Sequence, residues 1–405
     1  MGALPASPRN ADPMLNTPFP PWPSFSDEEA EAAAAVLRSN RVNYWTGDEC
    51  RQFETEFATW AGTRYAVALQ NGTVALDAAL RALGIGPGDD VVVTPRSFIA
   101  SVSCVVNVGA TPVFADVDRD SQNLTAENVA RVLTPRTKAI IPVHLAGMPC
   151  DMDPLMALAT THGLRVIEDC AQAIGARYKG KNVGTIGDIG AWSFCQDKII
   201  TTAGEGGMVT TNDHDLWSRI WSWKDHGKSW LAMNAREPAP GFRWVHDSFG
   251  VNGRMLEFQA VVGRLQMKRL AGWTASRRAN AEAIWSAARS LVGLRAPEVP
   301  VWIEHAAYKA YVFVEPETLA PEWSRDRIMG AINALGVPCY SGSCSEIYNE
   351  KAFDGTGWRP SPPLPVAHEL GKTSLMFLVH PTLEASHIER ACDALADVMR
   401  EASAT

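Results

Sequence analysis

At 405 residues and 46% hydrophobic content, the chain is long enough to bury one large core and a smaller second one. Its net charge of −8, with acids and bases interspersed, lacks the concentrated basic patch of a nucleic-acid-binding surface, so a small-molecule partner and no nucleic acid are expected. The eight cysteines (Cys50, Cys104, Cys150, Cys170, Cys195, Cys339, Cys344 and Cys392) form neither a CxxC pair nor a Cys/His cluster, and no apolar run is long enough for a membrane span, so the expectation is a soluble cytoplasmic protein with no metal site, no disulfide framework and no membrane partner.

In chain order, residues 1–25 carry Pro18, Pro20, Pro21 and Pro23 with no apolar period and are expected to form an arm rather than core. Ser26 opens SDEEAEAAAAVL, a serine placed to cap a helix whose first turn is acidic, as the positive end of a helix dipole favours. From Ala66 to about Asn212, short apolar runs (AVAL, VVVTP, PVFADV, KAIIPVH, RVIEDCA, GAWSF, GGMVTT) alternate with helical stretches such as TVALDAALRAL and DPLMALATTHG. Short, almost wholly apolar strands are those of a mostly parallel sheet covered on both faces. A helical stretch from about Leu256 to Gly272 leads to ASRRANAEAIWSAARS, and AYVFVEP, DRIMGAINALG, SLMFLVH and IERACDALADVMREA then follow in a different order of elements. The fold class is therefore α/β: an arm at 1–25, a large domain at 26–273 with a mostly parallel sheet flanked by helices, and a small C-terminal α+β domain at 274–405.

Three segments carry candidate chemistry. In ALQNGTVALDAALRAL, Asn71, Gly72 and Thr73 fall at a helix N-terminus, where free N–H groups and the dipole favour an anion and Gly72 permits the close approach of a phosphate. An ordinary capped helix has the same composition, and this motif alone does not separate the two. RVIEDCAQAIG sets Asp169 at the end of a buried strand, where its charge is costly without a positive partner such as a protonated pyridine nitrogen, and Gln172 lies three residues on, placed to bond a ring hydroxyl. The alternative is an aspartate capping the next turn. Lys198 lies between the apolar strand AWSF and the turn Gly204, Glu205, Gly206, Gly207, which makes it a candidate nucleophile in a partly enclosed site. A lone lysine is otherwise a solvated surface charge.

Together these segments resemble the DegT/StrS family of nucleotide-sugar aminotransferases within the aspartate-aminotransferase fold (fold type I). The matching stretches are NGTVALDAALRALGIGPGDDVVVTP, GATPVFADVD, IPVHLAGMPCDMD, VIEDCAQAIGARYKGKNVGTIGDIGAWSF, DKIITTAGEGGMV and GVNGRMLEFQAVVGRLQ. The resemblance implies pyridoxal 5'-phosphate as cofactor. Lys198 would carry it as a Schiff base and later shuttle protons, Asp169 would pair with the ring nitrogen, Gln172 would contact the ring hydroxyl, and Phe98 would stack on the ring face. Gly72, Thr73 and Ser193 would bind the phosphate, joined by Asn252 from a neighbouring subunit, so that the active unit is a homodimer. L-Glutamate would donate the amino group and a nucleotide-linked keto sugar would accept it by a ping-pong course. KIITT resembles members that aminate the fourth sugar carbon, and Lys198 stands where the family's sugar dehydratases carry histidine. Gly253, Cys170 and the pair Arg96 and Ser97 depart from the family's pattern around the sugar pocket, not at a catalytic group.

Other features admit two readings each. Ser343, Glu346 and Tyr348 belong to a substrate loop or to a surface loop of the small domain, and His226 and His380 are read as structural. Trp217, Trp221, Trp223, Trp230 and Trp244 are read as core or subunit interface. A non-catalytic scaffold with this fold would not need Lys198, Asp169 and the phosphate turn together. A nicotinamide-dependent oxidoreductase would need a GxGxxG turn after its first strand, and the sequence has none.

Overall fold

Apolar runs of five residues or fewer cannot form helices of useful length but suit strands buried on both faces, and the first half of the chain uses them so. The computed structural model describes residues 19–234 and 244–403. Helices α1 (Asp27–Arg38) and α2 (Glu49–Ala61) lead into β1 (Tyr65–Leu69), α3 (Gly72–Ala82), β2 (Asp90–Val93), α4 (Ala100–Asn107) and β3 (Thr111–Phe114). The chain continues through α5 (Ala126–Ala130), β4 (Thr137–Ile141), α6 (Met152–His162), β5 (Arg165–Asp169), a short hairpin β6 (Arg177–Tyr178) and β7 (Lys181–Asn182), then β8 (Ile189–Ser193), β9 (Gly207–Thr211), α7 (His214–Lys224) and α8 (Trp230–Asn234). Seven strands form one sheet in the order β1-β9-β8-β5-β4-β2-β3. Pairing is parallel from β3 through β8, and only β9 runs antiparallel to its neighbours β8 and β1. Every residue of β2 and β9 is buried, as the lack of polar alternation in VVV and MVTT requires. Helix α2 lay outside the elements read from the sequence, yet its buried Cys50, Phe53, Phe57 and Ala61 recur at helical spacing.

A helix of 33 residues, α9 (Glu257–Arg289), then crosses from one core to the other. Its first half buries Ala260 and Leu270 beside Phe53 and Phe194, and its second half buries Ala281, Ile284, Trp285 and Ala288 in the core of the C-terminal part. The boundary expected near Trp273 falls inside this helix, which has no proline to interrupt it. Beyond it come β10 (Leu294–Arg295), β11 (Ile303–Glu304), β12 (Ala310–Val314), α10 (Arg325–Ala334), β13 (Cys339–Tyr340), α11 (Pro365–Thr373), β14 (Ser374–Phe377) and α12 (Ala385–Ala402). Four of these strands form an antiparallel sheet, β10-β12-β14-β13, while β11 pairs back onto β6 of the first half. Among the described residues no helix is long and apolar enough to cross a membrane.

The arm expectation needs correction where the structure describes it. Residues 1–18 lie outside the described residues, but Phe19 and Trp22 are only 7% and 6% exposed. Phe19 joins the C-terminal core, and Trp22 packs edge-on against Trp273. Two large aromatic rings outweigh the prolines around them, because prolines forbid regular structure and not burial.

Ser26 caps α1 as expected: its hydroxyl accepts from the Glu29 N–H at 3.3 Å, and the buried Glu29 carboxylate accepts from the Ser26 N–H at 2.6 Å. Arg269 of α9 donates to the same carboxylate at 2.9 Å, so the cap also fastens α1 to the crossing helix. Removing that carboxylate leaves the Ser26 N–H unpaired and reduces Arg269 to its contacts with Glu28 and the Ser26 hydroxyl. Glu29→Ala is expected to lower the unfolding free energy by about 2–3 kcal/mol in urea denaturation.

Candidate active site

Strands β1, β5 and β8 end at the same edge of the sheet, and a cavity of about 860 Å3 opens there, closed on its far side by residues of the C-terminal part. This edge is where α/β sheets gather ligand groups, because each strand hands over to a helix N-terminus or a loop. Asn71, between β1 and α3, has extended backbone and caps α3 by accepting from the Val74 N–H at 2.9 Å. Gly72 and Thr73 thus stand in the first turn at the cavity end of an 11-residue helix. A Cβ on Gly72 would lie 2.7 Å from the Ser193 Cβ, and one on Gly207 would run into the Asn71 carbonyl oxygen. The helix end is packed this tightly against β8 and β9 only because both positions lack a side chain. Ser193 Oγ accepts from the Cys195 N–H at 3.3 Å, which leaves its own hydroxyl proton to donate into the cavity.

Asp169, the last residue of β5, is 3% exposed. Its Oδ2 accepts from Ser101 Oγ at 2.7 Å and its Oδ1 from the Ala171 N–H at 3.0 Å. Burial nevertheless holds this carboxyl above the usual range, against those two hydrogen bonds and the nearby Lys198 and His144. Neighbouring Glu168 shows the contrast. It takes the N–H groups of Gly184, Ile186 and Gly187 at 2.7–2.8 Å and contacts His144 at 3.1 Å, and these bonds outweigh burial and keep it ionised below the usual range. Glu168 is therefore structural and saturated, whereas Asp169 has a call on one more positive partner. Gln172 Oε1 accepts from the Ala146 N–H at 2.7 Å, which fixes the amide so that its N–H2 is the group left for a ligand.

Lys198 lies in the loop after β8, its side chain 15% exposed, with Nζ 3.8 Å from Asp197 Oδ1 and 5.0 Å from the Tyr308 ring centroid. Asp197, half-exposed, also accepts from the Tyr308 hydroxyl, and Lys198, that hydroxyl and Lys309 together hold its carboxyl below the usual range against partial desolvation. From behind, Trp22 Nε1 donates to the Lys198 carbonyl at 2.8 Å. Phe98 is 67% exposed on the cavity wall, an aromatic face without cover.

Of the residues singled out from sequence, Gly72, Thr73, Phe98, Asp169, Gln172, Ser193 and Lys198 all line this one cavity. Asn252 does not: it is exposed and its backbone bridges Asp225. Ser343 lines the cavity, but Tyr348 is buried with its hydroxyl on Glu346 at 2.8 Å, so those two brace the loop from behind. His380 is buried against Trp22 with Nδ1 2.8 Å from Thr382 Oγ1, and Trp217, Trp221, Trp223 and Trp230 pack in or against the main core, while Trp244 is 86% exposed. Sequence reasoning missed Ser101, Asp197, Tyr308 and Lys309. The first is a serine in an apolar helical turn with no motif; the last two had one signal, a lysine heading the wholly apolar strand AYVFV.

The donor set fits pyridoxal phosphate. A helix N-terminus and a serine hydroxyl suit its phosphate, an under-neutralised buried carboxylate suits a protonated pyridine, an oriented amide suits its hydroxyl, and an enclosed lysine suits its carbonyl carbon.

Comparison with known proteins agrees. The model of the DegT/DnrJ/EryC1/StrS aminotransferase family matches residues 23–396. The crystal structure of an aminotransferase from Psychrobacter cryohalolentis is similar with a TM-score of 0.93 and 60% identity, covering 95% of this chain and 99% of that one. The UDP-N-acetyl-3-dehydro-alpha-D-glucosamine 3-aminotransferase of Acidithiobacillus ferrooxidans is 40% identical over 86% of this chain and 88% of its own length. The dTDP-3-amino-3,4,6-trideoxy-alpha-D-glucose transaminase of Streptomyces venezuelae is 35% identical over 92% and 93%.

If the turn at Gly72 is a phosphate cradle, Gly72→Ala will push it away from Ser193. The dissociation constant for pyridoxal phosphate, measured by fluorescence titration of the stripped protein, is expected to rise roughly 10- to 100-fold.

Proposed function

This chain belongs to the DegT/DnrJ/EryC1/StrS aminotransferase family and is a pyridoxal-phosphate-dependent sugar aminotransferase, and we propose that it moves the amino group of L-glutamate onto a nucleotide-linked keto sugar. The observation that carries this reading is the convergence on one cavity of Lys198, Asp169 and the turn at Gly72. When bound, the cofactor supplies an electrophilic carbonyl carbon and a ring that withdraws electrons. Asp169 keeps that ring protonated, since its own charge in a buried site is relieved only by a cation beside it. Gly72, Thr73 and Ser193 hold the phosphate, Gln172 orients the ring, and Phe98 covers its face.

Lys198 carries the cofactor and then, as a free amine, moves the proton of the donor's α-carbon; in the second half it delivers a proton to the sugar carbon. Asp197, held by the Tyr308 hydroxyl, stands 3.8 Å from Lys198 Nζ and positions that amine between those steps. Because a single cavity contains a single cofactor lysine, 2-oxoglutarate leaves before the sugar enters, which is a ping-pong course. Phe98, Tyr311, Met376 and Leu378 on the walls limit water while the proton is in transit.

Asn252 is assigned to the neighbouring subunit's phosphate, in a homodimer. Its exposure and its absence from the lining of its own cavity support this, as does the anchoring beneath it: Asp225 accepts from Arg254 at 2.7 Å, Lys228 at 2.9 Å and Trp45 Nε1 at 2.7 Å, a rigid base for the segment that carries it. For the carbon aminated, KIITT speaks for the fourth position and the names of two relatives speak for the third; a proton NMR spectrum of the product distinguishes them by which ring proton couples to the new amine-bearing carbon. A catalytically silent chain would need neither an enclosed lysine nor a buried, under-neutralised aspartate.

Glutamate added to the loaded protein is expected to abolish its visible absorption band and release 2-oxoglutarate. Lys198→Ala should lose that response and at least about 10^3-fold in turnover; an unresponsive wild-type protein would falsify the reading. If the site is shared, mixing inactive Lys198→Ala with weakened Asn252→Ala chains should regain activity that neither has alone, because one site in each mixed dimer is intact.

A further inference from the structure

The cavity wall carries a second lysine that the reading above leaves idle. Lys309 stands at the head of β12 and lines the cavity together with Lys198. Both ammonium groups lie over the same Tyr308 ring, Lys198 Nζ at 5.0 Å and Lys309 Nζ at 4.9 Å from its centroid. Apart from that ring, Lys309 Nζ has no hydrogen-bond or ion-pair partner among the described residues. The one acid nearby, Asp197, is already engaged by Lys198 and the Tyr308 hydroxyl.

Behind Lys309 the charge balance worsens. Arg277 of α9 is 1% exposed and over the Trp22 ring at 4.8 Å; its Nη1 donates to the Tyr308 carbonyl at 3.3 Å, and its Nε and Nη2 have no partner. Among the described residues no carboxylate pairs with it. Lys198, Lys309 and Arg277 thus gather beside the half-exposed Asp197, and the second acid of the site, Asp169, acts on Lys198, so Lys309 is the cation on the cavity wall whose charge an entering anion would balance. Burial lowers the Lys309 ammonium to about 8, against the pull of Asp197 and with the push of Arg277 and Lys198.

We infer that Lys309, backed by Arg277, receives a carboxylate of the amino donor, making the head of β12 the donor-recognition subsite. The inference rests on the transamination reading. Its geometric ground is proximity to Lys198. An amino acid's α-carboxylate is bonded to the very carbon whose proton Lys198 moves, so its counter-charge must stand beside that lysine. The diphosphate of a sugar nucleotide hangs from the first sugar carbon and is separated from the reacting carbon by the sugar ring, so its counter-charges belong farther out. When the keto sugar takes its turn, the same ammonium faces neutral hydroxyls to which it can donate, so one group serves both halves of the exchange.

The test is a calorimetric titration of the loaded enzyme with glutarate, a dicarboxylate that cannot react, for wild type, Lys309→Met and Lys309→Arg. Uridine, thymidine and guanosine diphosphates are titrated in parallel. Lys309→Met is expected to weaken glutarate roughly 10- to 100-fold, the loss of one charge-assisted contact, while Lys309→Arg keeps most of the affinity. Whichever nucleoside diphosphate binds wild type should bind Lys309→Met equally well. Glutarate bound alike by wild type and Lys309→Met, or not at all by wild type, overturns the assignment; so does a Lys309→Met variant that loses the diphosphate and keeps glutarate. Failure of the transamination reading is separate, because it shows as a visible spectrum of the wild-type enzyme that glutamate leaves unchanged.

Discussion

Asp169 is a carboxylate set at the end of a central strand, 3% exposed, with two hydrogen bonds and a standing deficit of positive charge. Much of the surrounding architecture follows from accommodating it. Ser101 at the start of α4 must come close enough to donate, which fixes the turn that carries Phe98. Glu168 one residue earlier must be fully satisfied by three backbone N–H groups and His144, since two unsatisfied acids in one dry strand end would be untenable. On the proposed reading a cationic ring would remove the deficit, and affinity for the cofactor would then be built from a cost already present in the fold.

The second constraint is the meeting of two halves at that point. The C-terminal part does not close on the cavity as a separate body: α9 runs unbroken through both cores, β11 pairs with β6, and Trp22 ties the arm to the Lys198 carbonyl while stacking on His380. Tyr308 and Lys309 reach Lys198 because these links hold β12 in place. The supporting rings and buried cations are thus part of the site even where they touch no ligand. Arg277, wedged between Trp22 and the Tyr308 carbonyl, belongs to both the packing of the arm and the electrostatics of the cavity.

The large sheet was legible because its strands are buried on both faces, which leaves continuous apolar runs that no exposed element shows. The same logic hid α2: its apolar residues are spaced by helical period, but Glu, Thr and Arg between them read as a polar stretch. Gly72, Asp169 and Lys198 were legible because each is an odd residue in an apolar setting, a glycine opening a helix, an acid closing a strand, a lysine before a glycine turn. Phe19 and Trp22 were not, because prolines dominate their neighbourhood and nothing local tells whether an aromatic ring will find a core.

The sequence by itself determined the reaction class and the cofactor and singled out the residues proposed to hold it, since these depend on residue type at short spacing along strand ends and helix starts. Only the tertiary structure decided which residues from distant parts of the chain complete the cavity. Ser101, Tyr308 and Lys309 are separated from Lys198 by about a hundred residues and Arg277, behind the cavity wall, by about eighty, and their roles come from charge balance and contact in space. Sequence spacing carries no information on that balance, because the energy of a buried charge is set by everything packed around it and not by its neighbours in the chain.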